Sequence, residues 1–400
     1  MMGVYGATVG AGTLFLPIEI GTRGPLVFLL LLVLSFPLSM IPHVLICRVF
    51  MRDTHTEDRS LPLFGSFFGP KGRQAIKLFF CVAHYPVTLV YAVSLVNALS
   101  HFLSERLHLG DINRGVLTIT VLLLMYLVIS KGRDKVVKTM GALAMPFAIA
   151  IILIAVTQIP AWDISNITHA WQQTHGKSAD DSLKGIWLTL PLIAFSLCSA
   201  PLIPALASGY REPGAGGETK SVQVIRAAYV LIIFSILFFV LSCLLSTPRE
   251  TFIMAKEQNL NVLSVIGGDS HLGIMLFLAP FIAIVGMTKS FLGISMPVAE
   301  TFSILVADAF SVTRTSHIRR LRAMILVLMF IATSIVVYLN PDVINMIETV
   351  CGPLIAIFLF LIPTYLIFTR IALKPLRSFT SVMVMISGIA TVSALLYSLI

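Results

Sequence analysis

Residues 6–17 read Gly6-Ala7-Thr8-Val9-Gly10-Ala11-Gly12-Thr13-Leu14-Phe15-Leu16-Pro17, three glycines and a proline set inside an apolar segment of membrane length. Glycine weakens a helix interior and proline removes a backbone donor. In hydrocarbon, irregular backbone is tolerated only where protein covers it or a water-filled cavity lies beside it. A stretch built to unwind at that depth marks a place where something polar is bound. Broken helices of this kind form the substrate sites of transporters.

The rest of the chain follows the same plan. Hydropathy gives eleven spans: 2–20, 25–50, 74–104, 114–130, 136–157, 185–208, 223–247, 272–306, 318–338, 343–369 and 378–400. Most reach the ~20 residues needed to cross the hydrocarbon. The long ones, spans 3 and 8, imply tilt or extension beyond the bilayer. Only 12% of residues are charged, against about 25% in a soluble domain. The fold class expected is therefore all-α integral membrane. The first segment lacks the basic n-region of a signal peptide, and Gly12, Pro17 and Glu19 interrupt its apolar run. A chain that enters the membrane at Met1 suggests an upstream tail.

The net charge of +9 is not a nucleic-acid footprint, because it is sorted by loop. Alternate connections hold 19 of the 28 Lys and Arg residues, including Arg48, Arg52, Arg59, Arg133, Arg211, Arg314 and Arg370. The other connections hold 7, among them Arg23, Lys177 and Lys256, and Lys77 and Lys289 lie inside spans. The positive-inside rule then places the N-terminus in the cytoplasm and the C-terminus on the outer side of a bacterial inner membrane. Trp162, Trp171 and Trp187 fall near the outer face, as interface anchors would. The five cysteines are scattered singly, with no metal or redox spacing, and no cofactor is indicated.

Spans 1–5 (1–157) and 6–10 (185–369) form two halves, with an outer loop at 158–184 and an extra span at 370–400. Each half opens on a weakened helix. The second is Phe195-Ser196-Leu197-Cys198-Ser199-Ala200-Pro201, where proline disfavours helical geometry at the preceding residue. An odd number of spans per half gives the halves opposite orientations, an inverted repeat with its site at the paired breaks. The loops 158–184 and 248–271 are longer than connectors require. Phe252 to Ile266 is long enough for a short helix over the vestibule, although a plain connector is the commoner case.

Unpaired amides at a half-helix start suit a carboxylate, and free carbonyls at the end of the other half suit an ammonium. The hydroxyls of Thr8, Thr13, Ser196 and Ser199 add directed hydrogen bonds. Gly6 and Gly10 also fit a plain GxxxG packing surface. Tyr91 in span 3 stands as the far wall of a pocket or as ordinary packing. Lys289 is the sharpest single residue, because a lysine this deep costs roughly 2.5–3.5 kcal/mol on insertion scales and needs a partner or a role. Either an ion pair with an intramembrane carboxylate (Glu19, Glu300 or Glu348) or a protonatable coupling group satisfies that need. His43, His84 and His101 suit proton relays, with packing the commoner role.

Three motifs together resemble the hydroxy and aromatic amino acid permeases, especially their bacterial serine/threonine transporter branch. They are residues 6–17, Thr288-Lys289-Ser290-Phe291-Leu292-Gly293 in span 8, and Glu348 to Ala356 in span 10 with Gly352-Pro353. The resemblance covers nearly the whole chain. It implies the amino acid–polyamine–organocation superfamily, a LeuT-like 5+5 inverted repeat plus one helix, and proton-coupled symport, with sodium coupling, exchange or export as alternatives. It implies substrate contacts at Thr8, Gly10, Ala11, Gly12, Thr13, Phe195, Ser196, Cys198, Ser199 and Tyr91, and coupling at Lys289, Ser290, Glu300 and Glu348. Lys289 would then stand where sodium-coupled relatives hold a cation, between spans 1 and 8. Serine transporters of the family carry a Phe-Ser-Phe-Asn-His-Ser-Pro-like break. This chain has Leu197-Cys198-Ser199-Ala200 at its centre, which argues against serine or threonine as substrate.

The partners expected are thus an amino acid, protons or sodium, and lipid. A channel would want a polar stripe through several helices, whereas polar residues here gather at two breaks. A membrane enzyme would need a converging catalytic set, and none of the usual motifs occurs.

Overall fold

A computed structural model describes residues 1–52, 64, 67–110, 112–175, 179–210, 216–266, 273–312 and 315–398. Arg59, Lys177, Arg211 and Arg314 of the charge count lie outside them. Every regular element among the described residues is helical. Among the described residues, eight helices are long and apolar enough to cross a membrane: Pro25–Met51, Pro70–Arg106, Arg133–Ala161, Leu183–Ser208, Gly217–Ser246, Met275–Ala309, His317–Leu339 and Val343–Thr369. The other three predicted segments are helical but shorter. Arg114–Ser130 and Phe379–Leu395 form two of them. The first segment is split into Met2–Thr8 and Leu16–Arg23.

Apolar residues stay on the outside of this bundle. Val116, Leu124 and Leu328 are each more than half exposed, on spans 4 and 9. Such a face belongs in lipid, where leucine loses nothing by being uncovered.

Two unbroken helices make the rigid centre. Span 3 (Pro70–His101) and span 8 (Met275–Ala309) share the most extensive helix–helix contact of the described elements. Span 5 (Arg133–Thr157) lies against span 8 as well. The broken first span threads between spans 5, 6, 7 and 8. Spans 2 and 10 are helical throughout but carry wide π turns, at Phe36–Met40 and at Ile347–Cys351 and Ile357–Leu361. Pro37 and Pro42, and Pro353 and Pro363, lie in or beside those turns, where a missing N–H already disturbs the ladder.

The long loops are structured. Residues 158–184 contain the helix Ile164–His175, and 248–266 contain Arg249–Glu257 and Val262–Val265. This corrects the plain-connector expectation. The reason is burial: Phe252 and Ala255 are buried, and Arg249–Glu257 lies directly on Leu16–Arg23. Trp162 and Trp187 find partners inside the bundle as well, donating to Ser242 Oγ at 3.0 Å and to the Ala390 carbonyl at 2.9 Å.

Candidate functional site

Span 1 leaves helical geometry where the glycines fall. Helix Met2–Thr8 ends at Val9, Gly10 is extended (φ −135°, ψ −169°), and a tight 3-10 turn runs over Ala11–Leu14 before Leu16–Arg23 begins. Pro17 sits in the first turn of that second half, where its missing N–H costs nothing. Span 6 breaks in the matching place. Its helix Ala179–Ser196 stops, Leu197 to Ser199 are irregular, and Ala200–Leu202 and Ile203–Ser208 carry on beyond Pro201.

The two breaks touch. Ser196 Oγ donates to the Gly12 carbonyl at 3.0 Å. A methyl on Gly12 would come within 3.0 Å of the Phe195 ring and 3.3 Å of the Ser196 Cα, so this approach needs glycine. Gly6 is also tightly placed, 3.2 Å from the Ala144 methyl by the same measure, which fits the packing role considered for it. Across the gap, the Tyr91 ring lies 5.9 Å from Phe195, centroid to centroid. Cys198 is the one residue of Phe195–Pro201's central stretch 195–200 that is not fully buried.

The threonines turn inward on their own chain. Thr8 Oγ1 donates to the Val4 carbonyl at 2.7 Å and Thr13 Oγ1 to the Gly10 carbonyl at 2.6 Å. Their hydroxyls shape the break. Ser199 is held from two sides: its Oγ meets the Tyr229 hydroxyl at 2.6 Å and its N–H donates to His43 Nε2 at 3.0 Å. Among the described residues, no acceptor is paired with the amides of Gly10 and Gly12.

Span 8 completes the site. The Ala11 N–H donates to Ser290 Oγ at 3.1 Å. Lys289 is 2% exposed, and its Nζ donates to the carbonyls of Gly6 at 2.7 Å and Val9 at 2.8 Å. Its ammonium also stands 5.0 Å from the Phe147 ring centroid. The lysine therefore sits on the negative end of the first half-helix, between spans 1 and 8. The carbonyls read from sequence as free for a substrate ammonium are occupied by this side chain.

The carboxylates considered for Lys289 are elsewhere, and the ion-pair alternative is corrected. No carboxylate among the described residues pairs with Lys289. Glu348 Oε1 and Oε2 both accept from Arg23 Nη2, each at 2.9 Å. Glu19, fully buried, accepts from Arg23 Nε and from Lys256 Nζ, the latter at 2.6 Å. Arg23 Nη1 donates to the Gly185 carbonyl at 2.6 Å. Glu300 faces Arg133 at 4.0 Å, near the opposite end of the bundle.

Two acids and two bases thus form a charge-balanced cluster that joins spans 1, 6 and 10 to Arg249–Glu257. Arg249 reinforces it, donating from Nε and Nη2 to the Thr22 carbonyl at 3.1 and 2.8 Å. At the other end, Glu218 receives Arg48 at 3.6 Å and Arg52 at 3.3 Å, and Asp308 receives Lys77 at 2.7 Å.

Arg23, Lys256 and Tyr229 were not singled out from sequence. A depth argument would have found Arg23. It lies just past the end of span 1, and Glu348 lies a few residues inside the same end of span 10. Tyr229 carries the weaker signal of a hydroxyl in an apolar span, which must find a partner.

Residues 2–249 match the family described as transmembrane amino acid transporter protein. The serine transporter SdaC of Escherichia coli (strain K12) is 31% identical over 402 residues, covering all of this chain and 94% of that one. The threonine/serine transporter TdcC of Yersinia enterocolitica is 30% identical, covering all of this chain and 95% of the relative. The inner membrane transport protein YqeG of Escherichia coli (strain K12) is 31% identical across 99% of this chain and 96% of its own length. Among solved structures, the manganese transporter of Eremococcus coleocola shares the fold, with a TM-score of 0.61 at 10% identity over 99% of this chain and 84% of that chain.

Proposed function

The chain belongs to the transmembrane amino acid transporter family, and on that premise we propose that it is a proton-coupled importer of an amino acid with an uncharged side chain, working by alternating access. One observation carries the reading: two half-broken spans meet break to break, with a lysine ammonium on the carbonyls of the first.

The substrate sits between the breaks. Its carboxylate takes the amides of Gly10 and Gly12, at the positive end of the second half of span 1. Its side chain faces Tyr91, Phe195 and Cys198. None of these three side chains is charged at neutral pH, which favours a neutral substrate; serine and threonine are what two relatives are named for.

Lys289 couples the cycle to protons. Charged, it fastens the end of Met2–Thr8 to span 8 through two carbonyls. Deprotonated, it loses the charge that strengthens both hydrogen bonds and the half-helix is released. Residues 1–157 and 185–369 act as the two inverted halves, with the N-terminus cytoplasmic. In this arrangement the Arg23–Glu348 cluster closes the outer end. The lysine's place between spans 1 and 8 supports a cycle without a sodium requirement.

The test is uptake into proteoliposomes of a panel of labelled L-amino acids under an imposed pH gradient, with and without sodium. Accumulation of one neutral amino acid that a protonophore abolishes and sodium leaves unchanged is the expected result. A sodium requirement overturns the coupling, strict counter-exchange makes the protein an exchanger, and unsaturable flux makes it a channel.

A further inference from the structure

Breaking a helix inside a membrane leaves an accounting problem at each break, because every orphaned N–H must find an acceptor without water. Span 6 solves it with a side chain from span 2. The Ser199 N–H donates 3.0 Å to His43 Nε2, and the imidazole is itself fully buried. On the other side of the ring, His43 Nδ1 lies 2.6 Å from the Ser39 carbonyl. A carbonyl only accepts, so Nδ1 carries the proton and Nε2 presents its lone pair. Ser39 lies in the π turn Phe36–Met40, one turn before His43.

A second side chain completes the clamp. The Tyr229 ring lies on the imidazole with centroids 4.5 Å apart. Its hydroxyl stands 2.6 Å from Ser199 Oγ and donates to the Leu197 carbonyl at 3.2 Å. Three polar groups of the break, one N–H, one hydroxyl and one carbonyl, are thus held by His43 and Tyr229 together. The Tyr229 hydroxyl also meets the Thr8 side chain of the span 1 break.

We propose that His43 is a positioning residue for substrate binding, acting as a neutral imidazole of fixed tautomer that holds the span 6 break in its binding geometry. The inference rests on the transporter reading, because a break kept open has a purpose only if something binds there. Only one arrangement of the ring works. With the proton on Nε2, two N–H groups would face each other at Ser199 and the Ser39 carbonyl would face a lone pair.

The test pairs a spectroscopic readout with transport. Protein labelled with 15N-histidine is examined by NMR in nanodiscs, and the His43 signals are identified by their loss in His43→Gln. The expected pattern is a protonated Nδ1 and an unprotonated, hydrogen-bonded Nε2. An Nε2–H tautomer or an imidazolium overturns the proposal whatever transport shows.

In uptake assays with the panel above, His43→Leu raises KM about tenfold with kcat within about threefold. His43→Gln, whose side-chain oxygen reaches the Ser199 N–H, stays within about threefold of the native protein. Equal defects in the two variants overturn the proposal. Tyr229→Phe keeps the ring against the imidazole and removes the hydroxyl, so it raises KM even if His43→Leu fails to fold; an unchanged KM there overturns the clamp. If the native protein accumulates no amino acid, the transport reading falls and the binding role of His43 with it, while the tautomer still decides whether its Nε2 accepts from the Ser199 N–H.

Discussion

A single nitrogen of Arg23, Nη2, stands 2.9 Å from each carboxylate oxygen of Glu348, joining the end of span 1 to the start of span 10 across 325 residues of sequence. The pair lies in a cluster that holds Glu19 and Lys256 as well. Removing one member leaves the other charge half-buried and unmatched, which is costly for the closed arrangement.

Glu348→Gln therefore favours opening at this end. Cys351 lies one turn deeper and is fully buried. The expected outcome is about tenfold faster labelling of Cys351 by a membrane-impermeant thiol reagent in right-side-out vesicles, equivalent to about 1.4 kcal/mol of lost closure. Arg23→Lys gives a smaller increase, because an ammonium keeps the charge and loses the planar fork. Peptide mapping by mass spectrometry reads the site. Unchanged labelling would show that the cluster does not control access.

Lys289→Ala removes the buried donor to the Gly6 and Val9 carbonyls. Initial uptake under a pH gradient should fall at least about a hundredfold, near the loss expected when buried acceptors are stranded. The residual flux should no longer depend on pH. Initial rates between pH 5 and 8 check this, with folding confirmed by size-exclusion chromatography. A variant that keeps the native pH dependence rules out the lysine as the coupling group.

Gly12→Ala places a methyl 3.0 Å from the Phe195 ring and 3.3 Å from the Ser196 Cα. The ring can swing aside; the backbone carbon cannot. The breaks must separate by a few tenths of an ångström, and the Ser196 to Gly12 bond weakens. KM is expected to rise about tenfold, a misplacement effect of the size geometry alone produces. Concentration-dependent uptake measures it.

Asp163 offers a pH test away from the membrane-spanning helices. Hydrogen bonds from Ser165, including its N–H at 2.8 Å, hold the Asp163 carboxyl below its usual range. Because the folded-state value is depressed, its contribution to the helix Ile164–His175 is present above the unfolded value of about 4 and lost as pH falls through the folded one. Hydrogen exchange over residues 164–175 should show less protection in Asp163→Ala than in the native protein at pH 6. The difference should shrink as pH falls through the folded-state value.

The glycines of 6–17 and Pro201 made both breaks legible, because backbone chemistry is local and needs no partner to be read. Lys289 was equally visible as a charge in an apolar span. Its partners were not, since Gly6 and Val9 bind it through carbonyls that every residue owns. Glu348 was drawn toward Lys289 because both are intramembrane charges, and linear order says nothing of depth. The clamp on Ser199 was the least legible feature. His43 looks like any histidine in a span until Ser199, 156 residues away, is seen donating to it.

Spans 3 and 8 run unbroken against each other, while the breaks lie in spans 1 and 6 and wide π turns in spans 2 and 10. Stiff beams and compliant joints are thus allotted to different helices. An engineer seeking a more heat-resistant form of this protein should work on the beams: a better-filled seam between Pro70–His101 and Met275–Ala309 raises the melting temperature without freezing the joints on which turnover depends.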